Sequence, residues 1–174
     1  VVCASCARAA EEHPDPGGEQ LTVLAGALER LVVYLGTAFK DLGISDCGVF
    51  VDWCSLREPP RPPAPGPDRA LETLSLWCGH GLVRKLLIRR GPADEDHGWT
   101  FLQSALSAMT SQYQMVLRLG VPASPECTSW AGLRDASMAG RTPPLIPLSA
   151  AALLDAKTFS SSVEREAGKV QYRK

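Results

Sequence analysis

Cys47-Gly48-Val49-Phe50-Val51-Asp52-Trp53-Cys54 is a short β-branched and aromatic run, apolar on both faces. That pattern predicts a central strand of a parallel sheet covered on both sides, since a half-exposed strand would alternate apolar and polar residues. Upstream, Leu21, Leu24, Leu28, Leu31, Val32, Leu35 and Phe39 recur at spacings of three and four, which predicts an amphipathic helix over Glu19 to Leu42, stopped at Gly43. The turn His13-Pro14-Asp15-Pro16-Gly17-Gly18 forbids helix before it. Downstream, six prolines between Glu58 and Pro67 predict an exposed loop (58–67) of polyproline II character.

The alternation continues beyond the loop. Asp68 can cap a helix running to Cys78, with Ala70, Leu71, Leu74 and Trp77 as its buried stripe, and Lys85 to Ile88 follows as a strand. After the acidic loop Asp94-Glu95-Asp96, Leu102, Leu106 and Met109 mark a helix from Trp99 to Ser111, and Tyr113 to Leu119 is the next strand. Strands alternating with helices imply right-handed crossovers, hence an α/β domain over residues 1–120: a parallel β-sheet flanked by helices on both faces, in flavodoxin-like layering. Ligands of such sheets bind beyond the strands' carboxyl ends. Past Gly120 the alternation fades. Residues 121–174 read as a long irregular C-terminal tail, with five prolines between Val121 and Pro147 and one helix from Ser149 to Lys157. The tail is expected to pack on the domain or on a partner.

A chain of 174 residues fits one such domain with its tail. Charged residues are 21% and the formal net charge is -1, so no basic field attracts nucleic acid. Glu29, Arg30, Lys40 and Asp41 interrupt the apolar stretch from Leu21 to Leu42, which argues against an integral membrane span and leaves peripheral association with a membrane complex open. No methionine stands at position 1, and a processed chain that has lost a targeting segment is the expectation. Six cysteines allow about fifteen pairings, and sequence does not choose among them. Cys47, Cys54 and Cys78 lie in or beside apolar runs, as buried free thiols do in a reduced intracellular setting.

Cys3-x-x-Cys6 could hold one edge of a tetrahedral metal site, with Cys78 and His80 as weak candidates to complete it. No second Cys-x-x-Cys pair is present, so the expectation is no metal, with Cys3 and Cys6 as small residues of an edge strand. His13, His80 and His97 are set apart by turns and glycines, and no Gly-x-Ser-x-Gly elbow or glycine-rich phosphate cradle occurs, so no hydrolase triad and no cofactor is expected. Arg84, Lys85, Arg89 and Arg90 bracket a strand and read as solvated strand ends, with a docking patch as the alternative.

Several motifs together resemble a known family. His13-Pro14-Asp15-Pro16 with Glu19-Gln20-Leu21, Val49-Phe50-Val51-Asp52-Trp53-Cys54-Ser55-Leu56, Gly98-Trp99 and Met115-Val116-Leu117-x-Leu119-Gly120 are similar to a large family of uncharacterised proteins of algae and other protists. That family looks like a distant branch of the Toll/interleukin-receptor-like (TIR-like) fold. Arg141-Thr142-Pro143-Pro144 and Phe159-Ser160 extend the resemblance over nearly the whole chain. In enzymatic relatives of the wider fold, a glutamate on the helix after the third strand, behind a Trp-Cys pair, acts on the ribose of a nicotinamide dinucleotide, as a glycosidase carboxylate would. The matching stretch here is Trp99-Thr100-Phe101-Leu102-Gln103, so the resemblance puts an amide at the degenerate position Gln103. Ser5-Cys6-Ala7-Arg8 replaces the family's usual Ser-His strand end, and Arg57-Glu58 replaces a motif that ends in glutamine. Asp52 and Glu58 are the carboxylates that a shifted alignment would bring to the cleft.

The expectation is thus a pseudoenzyme: a non-catalytic structural or interaction protein, an accessory subunit that binds other protein subunits in a larger assembly. The compartment is an organelle such as the chloroplast, with the photosynthetic apparatus as one host, or the cytoplasm. The alternatives are an enzyme that cleaves nicotinamide dinucleotide or binds a nucleotide, and a self-associating signalling adaptor.

Overall fold

A computed structural model describes residues 1–7, 15–43, 46–52, 69–112, 115–121, 127–139, 144–145, 147–159 and 162–173. Four parallel strands, β1 (Val2–Cys6), β2 (Val49–Val51), β3 (Arg84–Arg89) and β4 (Val116–Gly120), form one sheet in the order β2-β1-β3-β4. The helices are α1 (Glu19–Ala38), α2 (Arg69–Gly79), α3 (Gly98–Thr110), α4 (Trp130–Ala139), α5 (Pro147–Asp155) and α6 (Ser162–Arg173). The α/β architecture read from the alternation is what the chain adopts.

Strand alternation sorts the side chains into two cores. Val2, Ala4 and Cys6 of β1, Leu86 and Ile88 of β3, and Leu117 and Leu119 of β4 meet Val23, Leu24, Ala27 and Leu31 of α1 and Trp130 and Leu133 of α4. Cys3 faces the other way, into a core built from Leu74 and Cys78 of α2, Leu102, Ala105 and Leu106 of α3, and Ala150 and Leu154 of α5. Each face therefore buries an apolar helix stripe, the main stabilising term of such layers.

Two strand positions differ from expectation. β1 is central, paired with β2 on one side and β3 on the other, whereas Cys3 and Cys6 were expected on an edge. β2, expected at the centre, is an edge of the described sheet, and its Val49 is 37% exposed. Small residues explain the exchange: Cys3, Ala4 and Ser5 let helices close over both faces of β1, and none is more than 1% exposed. The bulkier Val-Phe-Val run tolerates a flank open to water.

The helix read from Glu19 to Leu42 ends at Ala38 and gives way to a 3-10 turn over Lys40–Leu42, closed at Gly43 with φ 64°. Lys40 and Asp41 thus lie outside α1. By length and composition α1 is apolar enough to cross a membrane. Here its Val23, Leu24, Ala27 and Leu31 face packs on the sheet.

The tail holds more helix than its composition implied. α5 matches the expected segment within two residues, but α4 and α6 were not foreseen. Phe159 anchors the tail: its ring stands edge-on to Trp99 at 5.9 Å and lies against Gly168 of α6, while Gly98 N–H donates to Thr158 O at 2.8 Å. The tail thus packs on the domain at the start of α3. The proline-rich loop 58–67 and the Asp68 cap lie outside the described residues.

Candidate functional site

The order β2-β1-β3-β4 reverses direction between β1 and β3, so a crevice for a ligand is expected beyond the carboxyl ends of these two strands. Ser5 and Cys6 end β1, Arg89 ends β3, Asp52 follows β2, and α3 lays Thr100, Gln103 and Ser104 across them.

These groups form one hydrogen-bonded chain. The Ser5 hydroxyl donates to Gln103 Oε1, and Gln103 Nε2 donates to Asp52 Oδ2 at 3.2 Å. Both Asp52 oxygens accept from Cys6 N–H at 3.3 Å. Arg89 Nη1 donates to Ser5 O at 3.0 Å, and Nη2 donates to Ser104 Oγ at 3.3 Å and Thr100 O at 3.5 Å. Ser104 Oγ donates to Glu95 Oε1 at 3.0 Å, and Glu95 also pairs with Arg118 of β4 at 3.4 Å.

The network is buried. Ser5, Gln103, Asp52 and Arg89 are 1%, 5%, 7% and 8% exposed, values at which a polar group must find a partner or cost stability. Burial pushes the Arg89 guanidinium below its usual range, and Glu95, then Asp52, oppose that shift. Solvated strand ends are thus the wrong description of Arg89, and of Lys85 too, which is 0% exposed with its ammonium on His80 O and Ser111 Oγ. Arg84 lies over the Trp130 ring at 5.0 Å, and Arg90 is ion-paired to the buried Asp15 at 3.5 Å. Asp15 in turn accepts from Leu21 N–H at 2.9 Å and fixes the start of α1.

The amide at position 103 has a physical reason. Its oxygen faces a hydroxyl donor and its nitrogen faces a carboxylate, and an amide can accept from one and donate to the other without having to take up a proton. A glutamate there would set a second negative charge against Asp52.

Of the residues singled out in the sequence, Gln103, Asp52 and Thr100 come together. Trp99 is on the first turn of α3 but packs against Phe159, and Glu58, Arg57 and Arg8 lie outside the described residues. The metal candidates do not converge. Cys3 and Cys6 are three apart on a strand and point to opposite faces; Cys78 joins Cys3 on one side, Cys6 lies in the other core, and His80 is exposed with its Nδ1 accepting from Leu82 N–H at 3.2 Å. No group of three or more potential metal ligands occurs among the described residues.

Sequence reasoning missed Ser5, Ser104, Glu95 and Arg118 as partners in the network. One signal was available, an arginine closing a run of apolar strand residues at the sheet's carboxyl end. Comparison with protein-family models, with curated proteins and with solved structures returned no match to this chain.

Proposed function

We propose that this chain is a non-catalytic interaction protein, an accessory subunit of a larger assembly built on a TIR-like scaffold with a degenerate cleft. The observation that carries the proposal is Gln103, whose buried amide bridges Ser5 and Asp52 where a hydrolytic site needs an open carboxylate. Asp52 contributes a carboxylate, but both its oxygens are engaged and it is buried beneath α3. The parallel order β2-β1-β3-β4 is compatible with the resemblance.

The test is incubation of purified protein with nicotinamide dinucleotide, reading released nicotinamide and the thermal midpoint. The expected result is no release and no shift. Turnover that Asp52→Asn removes would refute the proposal and identify an enzyme.

A further inference from the structure

We infer that a second copy of this chain docks on the groove between α1 and α4, with the two α1 helices antiparallel about a two-fold axis at the middle of the helix. The groove holds about 420 Å³ and is lined by Glu29, Arg30, Val33 and Tyr34 of α1 and by Trp130 and Ala131 of α4. The Tyr34 and Trp130 rings stack at 6.4 Å and join its two sides.

α1 is more apolar than its place in the fold requires. Val23, Leu24, Ala27 and Leu31 cover the sheet. A helix packed by one such stripe normally turns polar residues outward. Here Leu21, Ala25, Val33 and Gly36 are exposed instead, Val33 by 71%, and only 22% of the helix's most apolar window is buried. Between Gln20 and Phe39 the only charged residues are Glu29 and Arg30.

Those two charges select the occupant. Among the described residues neither is in an ion pair. Arg30 Nη1 donates to Gly26 O, but its buried Nε has no hydrogen-bond partner among them. Residues one apart on a helix do not face each other, so Glu29 and Arg30 of one chain are poorly placed to neutralise each other. About a two-fold axis between positions 29 and 30, Glu29 of each copy meets Arg30 of the other, which is the self-complementarity an isologous interface needs. The antiparallel pairing also sets opposite ends of the helix dipoles side by side. An anionic lipid surface would attract Arg30 but repel Glu29. The inference is independent of the Gln103 crevice, and the dinucleotide assay does not bear on it.

Sedimentation equilibrium of the purified chain tests it at concentrations up to about 100 µM, where an interface of micromolar affinity is populated. The expected result is a monomer–dimer equilibrium. Glu29→Arg sets like charges against each other and should weaken the dimer at least about tenfold. Adding Arg30→Glu to it rebuilds the complementary pair in reverse order and should restore association to within about threefold of wild type. Val33→Asp should weaken the dimer at least about tenfold through the apolar face alone, and it decides the matter if a charge variant fails to fold, as circular dichroism would show. A monomer throughout the range overturns the inference. So does a dimer that Val33→Asp or Glu29→Arg leaves unchanged, or one that the double reversal fails to restore.

Discussion

Replacing Gly98 by alanine should loosen the C-terminal tail from the domain. A Cβ at this position would fall inside the Phe159 ring. The ring has little room to turn aside, because it packs so near Gly168 that a Cβ there would come within 3.6 Å of its Cζ, and Trp99 stands edge-on to it. Displacing it forfeits part of the ~1.5–3 kcal/mol that burial of a phenylalanine contributes. The aromatic pair adds ~0.5–1.5 kcal/mol to the loss. Against this, alanine is favoured over glycine in a helix by ~0.5–1 kcal/mol, less at a first position. The net cost is about 2 kcal/mol, within the range for overpacked sites. For a chain of this length that corresponds to a fall of about 4–8 °C in thermal midpoint. Circular dichroism melting would read the shift, and trypsin cleavage after Arg165 and Lys169 should accelerate. The double variant Gly98→Ala with Phe159→Ala should cost no more than Phe159→Ala alone, because the ring that collides is gone. A neutral or stabilising Gly98→Ala, or strict additivity in the double variant, would refute the anchoring role of Phe159.

Three other expectations follow from the buried groups. Ser5→Ala should cost about 1–3 kcal/mol in urea unfolding, because Gln103 Oε1 loses its hydroxyl donor in a site closed to water; a cost below ~0.5 kcal/mol would count against the network. Gln103→Glu places a second carboxyl beside Asp52, so the folded state holds a proton that the unfolded chain releases. Its stability should be below wild type at pH 7 and should recover as pH falls toward 5, measured by unfolding at several pH values, whereas a pH-independent deficit would contradict the like-charge argument. Cys78 tests the alkaline side: its hydrogen bond with Cys3, and then burial, raise the thiol well above 9.0. The folded chain keeps this proton while the unfolded thiol loses it, so stability should decline as pH rises through about 9, and Cys78→Ala should flatten that decline.

The helices and strands of residues 19–120 were legible because helical spacing survives in residues such as Leu102 and Leu106, and an unbroken apolar run such as Leu86 to Ile88 marks a strand buried on both faces. Strand order was not, since nothing in Val49-Phe50-Val51 says whether one or two neighbours flank it. α4 had a readable start in Ser129, whose Oγ accepts from Gly132 N–H at 3.1 Å, but Gly132 and Asp135 within ten residues hid its weak period. α6 lacks a broad apolar stripe and packs near Phe159 through Gly168, a contact no periodicity announces. In the site, the change at Gln103 was visible from sequence, whereas its partners were not. A serine, an arginine and an aspartate gathered from β1, β3 and the end of β2 meet only after the sheet has assembled.

The central place of β1 also sets the order in which the chain can fold. Val2 pairs with Val49 on one side and with Arg84 on the other, so β1 must wait for about forty-five further residues before its first partner exists and about eighty before its second. Synthesis at ~5–20 residues per second leaves it unpaired for several seconds on the ribosome. Local helices such as α1 can form in that time, but the sheet nucleates late, and its nonlocal pairing should make refolding slower than that of a helical bundle of equal size. During the interval the Val1-to-Ala7 segment offers two open strand edges and almost no charge. The feature that gives the finished domain its centre is therefore also its exposure to misassembly while it is being made.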